Sequence, residues 1–220
     1  RERRMAKKPK RDACYKKVKA RYTRNGGTWP SAYASGANQS PRVSDINISL
    51  PTEFFSVTAV KDGITQTYTV GKNNCYLFYN EKELNEAEAK EKNMTCERAN
   101  MYKNYYTYLY GLPMKLEDKG TNIDPKVERK NFKGKDYLVL KVTYDAAIGS
   151  DVWYFYFDPE TYAMEVYQFY KTDNNGKVTA DSGEHILLSG EETVNGIKMP
   201  KIRAWYYNKD DKYLGMDTLG

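Results

Sequence analysis

Long apolar runs are missing from this chain. No stretch of its 220 residues approaches the ~18 consecutive apolar residues of a membrane-spanning helix, so no transmembrane segment is expected. The basic opening also lacks the apolar centre of a signal peptide. Histidine occurs once, at His185, and cysteine three times. A metal site or a histidine base needs a second ligand or partner at suitable spacing, and none stands near His185, which reads as a surface or strand-edge residue. Glu191 and Glu192 are adjacent and point to opposite faces of a strand, so they cannot act jointly on one bond. Asp210-Asp211 lacks the alternating oxygen ligands of a calcium loop. No nucleophile-elbow, P-loop or dinucleotide-binding glycine motif occurs. These absences argue against an enzyme, a metal centre and a cofactor.

What the chain has is tyrosine: 21, against 7 phenylalanines and 3 tryptophans. Tyrosine joins an apolar ring to a hydroxyl that needs a partner, which suits half-wet cavities as well as strand-rich packing. The formal charge of +6 is uneven. Residues 1–24 hold twelve Lys/Arg and two Asp/Glu, a net of +10, which leaves −4 for the remainder. Residues 1–40 therefore read as a basic, disordered arm, rich in glycine and serine after Arg24. A basic arm with tyrosines for stacking raises nucleic-acid binding, or an anionic membrane surface, as alternatives. The net acidic body disfavours nucleic acid.

Order begins near Val43. Ile46, Ile48 and Leu50 alternate with polar residues up to Pro51, the pattern of a half-buried strand. Phe54 to Val60 and Ile64 to Val70 flank an Asp62-Gly63 hairpin turn, and Cys75 to Tyr79 gives another strand. Asn85 followed by Glu88 has the spacing of a capping box, so a short helix is predicted over Glu86 to Lys92. Cys96 to Leu109 is the second helix, with Met101, Tyr102, Tyr105, Tyr106, Tyr108 and Leu109 at spacings of three and four, stopped by Gly111 and Pro113. Strands return over Tyr137 to Tyr144, Val152 to Phe157 and Met164 to Tyr170. His185 to Glu192 and Ile197 to Tyr207 follow, joined at Asn195-Gly196. Val152 to Phe157 is apolar on both faces, so each is covered or one lines a cavity. Nine or ten strands with short turns and two helices predict a mainly β (α+β) domain over residues 41–220. Its large antiparallel sheet should curl rather than leave long flat edges.

The runs CERANMYKNYYTYLYGLPMKL, FKGKDYLVLKVTYD, WYFYFDPETYAMEVYQFY and ILLSGEETVNGIKMPKIRAWYYNKDDKYLG resemble an uncharacterised family of exported bacterial domains. That family is similar in fold to the LolA/LolB-like lipoprotein carriers. The resemblance covers residues 41–219. It implies an incomplete antiparallel barrel wrapping its helices, with an apolar concave face able to accept acyl chains, in the periplasm or at the outer membrane. Residues 1–40 depart from the family's opening, a signal peptide followed by a helix and a first strand. Only Asn25-Gly26-Gly27-Thr28-Trp29 echoes it, which points to a mis-assigned start or a shifted frame.

With that fold, the apolar surplus becomes a binding hypothesis. Tyr102, Tyr105, Tyr106 and Leu109 on the helix would face Trp153, Phe155 and Phe157 on the strand, with a lipid or acyl chain between them. The tyrosine hydroxyls would hold a polar head group at the mouth. An envelope protein partner, or a structural role in the envelope, is the other alternative. Export also permits oxidation. Cys75 at the end of a strand and Cys96 at the start of the tyrosine helix flank the short helix, so they are predicted to pair, leaving Cys14 free.

Overall fold

The computed structural model describes residues 15–24 and 42–220. Six strands come first: β1 (Tyr15–Arg24), β2 (Arg42–Ser49), β3 (Phe54–Lys61), β4 (Ile64–Val70), β5 (Cys75–Tyr79) and β6 (Lys82–Glu83). Helices α1 (Glu86–Glu91) and α2 (Cys96–Gly111) follow, then a 3-10 turn at Met114–Glu117. The chain continues through β7 (Thr121–Ile123), β8 (Glu128–Phe132), β9 (Lys135–Tyr144) and β10 (Val152–Phe157). Strands β11 (Met164–Tyr170), β12 (Glu184–Val194), β13 (Ile197–Tyr207) and β14 (Tyr213–Leu219) complete it.

All fourteen strands belong to one sheet, ordered β6-β5-β4-β3-β2-β1-β14-β13-β12-β11-β10-β9-β7, with β8 also on β9. Every pairing is antiparallel. Tight turns make this possible. Asp62-Gly63 and Asn195-Gly196 both have positive φ at both positions, 51° and 77° and 50° and 77°, as two-residue hairpins of matching twist require. At the β10–β11 turn, Asp158 Oδ1 accepts from the backbone N–H of Glu160 and Thr161, at 3.0 and 2.8 Å.

The sheet must curl, and α2 shows why. Tyr102 of α2 meets Tyr68 of β4 edge-on at 5.1 Å, while Tyr108 of the same helix meets Trp153 of β10 at 5.5 Å. Strands β4 and β10 are eight places apart in the sheet. Flat, that would separate them by roughly 38 Å at the usual strand spacing, several times a helix diameter. One helix can touch both only if the sheet wraps around it. The ends do not meet, so the barrel is incomplete, as the family resemblance implies.

Local signals set the helices. Asn85 caps α1: its side chain accepts from Glu88 N–H, and Glu88 reaches back to Asn85 N–H, closing the predicted box. Thr95 caps α2 by accepting from Arg98 N–H. Cys75 and Cys96 form the predicted disulfide, with Cα atoms 5.9 Å apart, and it ties the first residue of α2 to β5. Cys14 lies outside the described residues.

The reading of residues 1–40 as a disordered arm is corrected at Tyr15–Arg24. These residues form β1, paired with β2 from Tyr15↔Ser49 to Tyr22↔Arg42 and with β14 from Ala20↔Leu219 to Arg24↔Gly215. The sequence there alternates Val18, Ala20 and Tyr22 with Lys17, Lys19 and Arg21, which is the period of a strand. The same residues form no apolar stripe at helical spacing. The remainder of residues 1–40 lies outside the described residues.

Candidate functional site

Helix α2 is seated unevenly on the concave face. Its backbone runs close to β3, β4 and β5. There it buries Tyr102, Tyr106 and Tyr110 in one cluster with Ile46, Phe55 and Tyr68. Tyr106 stacks on Phe55 at 6.1 Å, and its hydroxyl accepts from Arg42 Nη2 at 3.0 Å. Burial pushes the Tyr68 phenol up to about 12, and neighbouring Tyr102 adds to the shift.

Towards the other half of the sheet the helix reaches with rings. Tyr105 stacks on Trp205 of β13 at 6.1 Å, and Tyr108 meets Trp153 and Tyr144 while its hydroxyl bonds that of Tyr144. Leu109, Phe155, Tyr167, Ile186 and Trp205 form the buried floor of this second cluster. Around the floor, Tyr108, Tyr144, Trp153, Phe157, Leu188 and Leu214 are only half-buried. Thus Phe155 is fully enclosed, while its strand neighbours on the same face, Trp153 and Phe157, keep exposed surface.

The predicted site residues are therefore divided. Tyr105, Leu109, Trp153, Phe155 and Phe157 come together in the second cluster. Tyr102 and Tyr106 belong to the first, on the side where the helix is firmly packed, although Tyr105 borders both. The opposite face of β10 is covered: Tyr156 and Val166 pack with Tyr137 and Val139, and Phe132 leans over Tyr156 at 5.2 Å. Tyr156 also donates to Gln168 Oε1 at 2.6 Å.

A group of polar residues on the concave face escaped the sequence reading. Arg203, one pleat from Trp205 on β13, is 2% exposed, and Asp217, its cross-strand partner on β14, is 4% exposed. Arg203 Nη1 donates to Pro200 O at 3.2 Å, and its Cζ lies 4.6 Å from the centre of the Tyr110 ring. Asp217 accepts from Trp205 Nε1 at 3.3 Å, and the Tyr110 hydroxyl is near enough to favour its charged form. Burial raises its carboxyl above the ordinary range against the pull of Arg203. The Tyr167 hydroxyl is enclosed as well; Arg203 is near enough to affect its ionisation, but no well-formed hydrogen bond is completed. The available signal was parity. Arg203 shares a strand face with Trp205, and the hairpin register then sets Asp217 opposite it.

His185 is corrected too. It is not at the surface but 3% exposed on the convex side, stacked on Tyr206 at 5.2 Å and edge-on to Phe132 at 5.3 Å. Its Nε2 lies 3.0 Å from Asp211 Oδ1, and Lys133 Nζ pairs with the same carboxylate. Among the described residues no three His, Cys, Asp or Glu side chains are grouped to hold a metal, and no helix is long and apolar enough to cross a membrane.

No curated protein matches the sequence. The fold is similar to the crystal structure of a LolA superfamily protein from Nitrosomonas europaea, over 94% of this chain and 84% of that one, with a TM-score of 0.51 at 10% identity. A DUF1329 family protein from Desulfovibrio piger is similar over 94% of this chain and 82% of its own, with a TM-score of 0.44 at 9% identity. The first of these likenesses, at such low identity, is one of fold. The sequence match is to a different family, for which the half-barrel resemblance read from the sequence had prepared: with residues 31–219 matched by its model, the chain belongs to DUF6503, a family of unknown function.

Proposed function

We propose that the protein holds an apolar ligand, an acyl chain or lipid, between α2 and the C-terminal half of the curved sheet, in the cell envelope. One observation carries this reading. The backbone of α2 runs close to β3–β5, whereas over β9–β14 the helix reaches the sheet only through rings, and Tyr108, Trp153 and Phe157 stay half-buried around an enclosed floor. A concave aromatic surface with its floor buried and its rim open is suited to a chain-like guest. Leu109 and Phe155 form the floor, and Tyr105, Trp153 and Phe157 line the opening, with Tyr102 and Tyr106 anchoring the helix behind it. The LolA-like fold and the disulfide fit an exported carrier that does no chemistry of its own. Five of the twelve basic residues in the first 24 lie on β1, which weakens the case for a free nucleic-acid arm.

The test pairs ligand displacement with stability. A fluorescent fatty acid should bind the wild-type protein. Trp153→Ala should weaken binding about tenfold or more, since burying an aromatic of this size is worth roughly 1.5–3 kcal/mol, while the melting temperature falls little. Phe155→Ala is the contrasting case: its ring is fully enclosed, so stability should drop by about 3–5 kcal/mol. A wild-type protein that takes up no probe would remove the proposal and leave a plugged half-barrel.

A further inference from the structure

The polar group under the C-terminal end of α2 is not accounted for by an apolar ligand alone. Arginine keeps its charge in proteins and presents five N–H donors. One of Arg203's donors is used, on Pro200 O, with the guanidinium over the Tyr110 ring. Its Nε is enclosed without a hydrogen-bond partner, as is the Tyr167 hydroxyl beside it. Among the described residues no carboxylate forms an ion pair with Arg203. Asp217 is the natural candidate, but its Oδ1 accepts from Trp205 Nε1, and no oxygen of it reaches the guanidinium. A buried cation ordinarily has a paired anion, and buried donors ordinarily have acceptors.

Resting on the ligand reading above, we infer that Arg203 and Tyr167 receive the carboxylate of a fatty acid, head first, with its chain lying out along Trp153 and Phe157. A carboxylate offers two oxygens to the Nε side of the guanidinium and to the phenol, which is the fork geometry arginine favours. One guanidinium balances one negative charge, so a carboxylate fits better than a phosphate dianion. The head group is thus recognised at the bottom of the site, and not by tyrosine hydroxyls at its mouth. Tyr106 is already engaged with Arg42.

Binding of dodecanoate, dodecanol and dodecyl phosphate to wild type, R203M and R203K tests this. Wild type should prefer dodecanoate to dodecanol by at least about tenfold, a difference typical of a charge-assisted hydrogen-bonded pair. R203M should bring the two within about twofold, the larger loss falling on dodecanoate. R203K keeps the charge without the fork and should retain only part of the preference. It also covers the case in which R203M does not fold. Equal binding of acid and alcohol to wild type would overturn the inference while leaving the apolar site standing. A preference that survives in both variants, or tighter binding of dodecyl phosphate, would also overturn it. Binding of none of the three would bring down the apolar site along with it.

Discussion

At the scale of single residues, His185 shows how burial turns a side chain into a condition on stability. Its pKa is lowered from 6.5, first by burial; Asn208 and Asp211 act to raise it and Lys133 to lower it. A depressed folded-state value means the unfolded chain binds the proton more readily. The stability it contributes is therefore complete above about pH 6.5 and is lost as pH falls through the folded value. The melting temperature should decline as pH drops from 7 towards 5, and His185→Gln should flatten that part of the curve. An identical slope in the variant would assign the decline to carboxylates instead. Legibility at this scale was partial. Phe155 and Leu109 announce themselves as large apolar residues on strong periodic faces. Arg203 and Asp217 do not, because an Arg or Asp in a strand reads as solvated until the register places it on the face of Trp205.

At the scale of elements, the strands bounded by turn chemistry were the most legible. Ile64–Val70, Val152–Phe157, Met164–Tyr170 and Ile197–Tyr207 follow from β-branched and aromatic runs between Gly, Pro, Asn and Asp. The short strands β6, β7 and β8 carry no such pattern: Lys82–Glu83 and Glu128–Phe132 are mostly charged or polar and are strands because β5 and β9 pair with them. Strand β1 is hidden by the density of its lysines and arginines. Between β5 and α2 the disulfide closes a loop with a sequence separation of 21 residues. In the chain-entropy view such a loop contributes about 3 kcal/mol, so the Cys75→Ser/Cys96→Ser double variant should melt roughly 6–12 °C lower. Wild type measured under reducing conditions should show a similar drop. A double variant that melts with the wild type would mean that capping and packing alone seat the helix.

For the whole molecule, β1 is the seam: among the described residues it is the strand that pairs the sheet half β2–β6 with the half that begins at β14. Deleting residues 1–24 should expose the facing edges of β2 and β14, lower the melting temperature by roughly 10 °C or more, and promote association through those edges. Differential scanning calorimetry and sedimentation would read both effects, and an unchanged monomeric transition would show that the halves join without the strand. The same seam governs the timing of assembly. Arg24 pairs with Gly215, and Ala20 with Leu219, so one side of β1 has no neighbour until β14 has been synthesised. Strands β1–β6 can zip together early as a local meander, because each neighbour follows closely in sequence. The closing step waits for the last strand. A nascent chain would therefore emerge with a long unpaired edge on β1, open to pairing with other chains until β14 arrives.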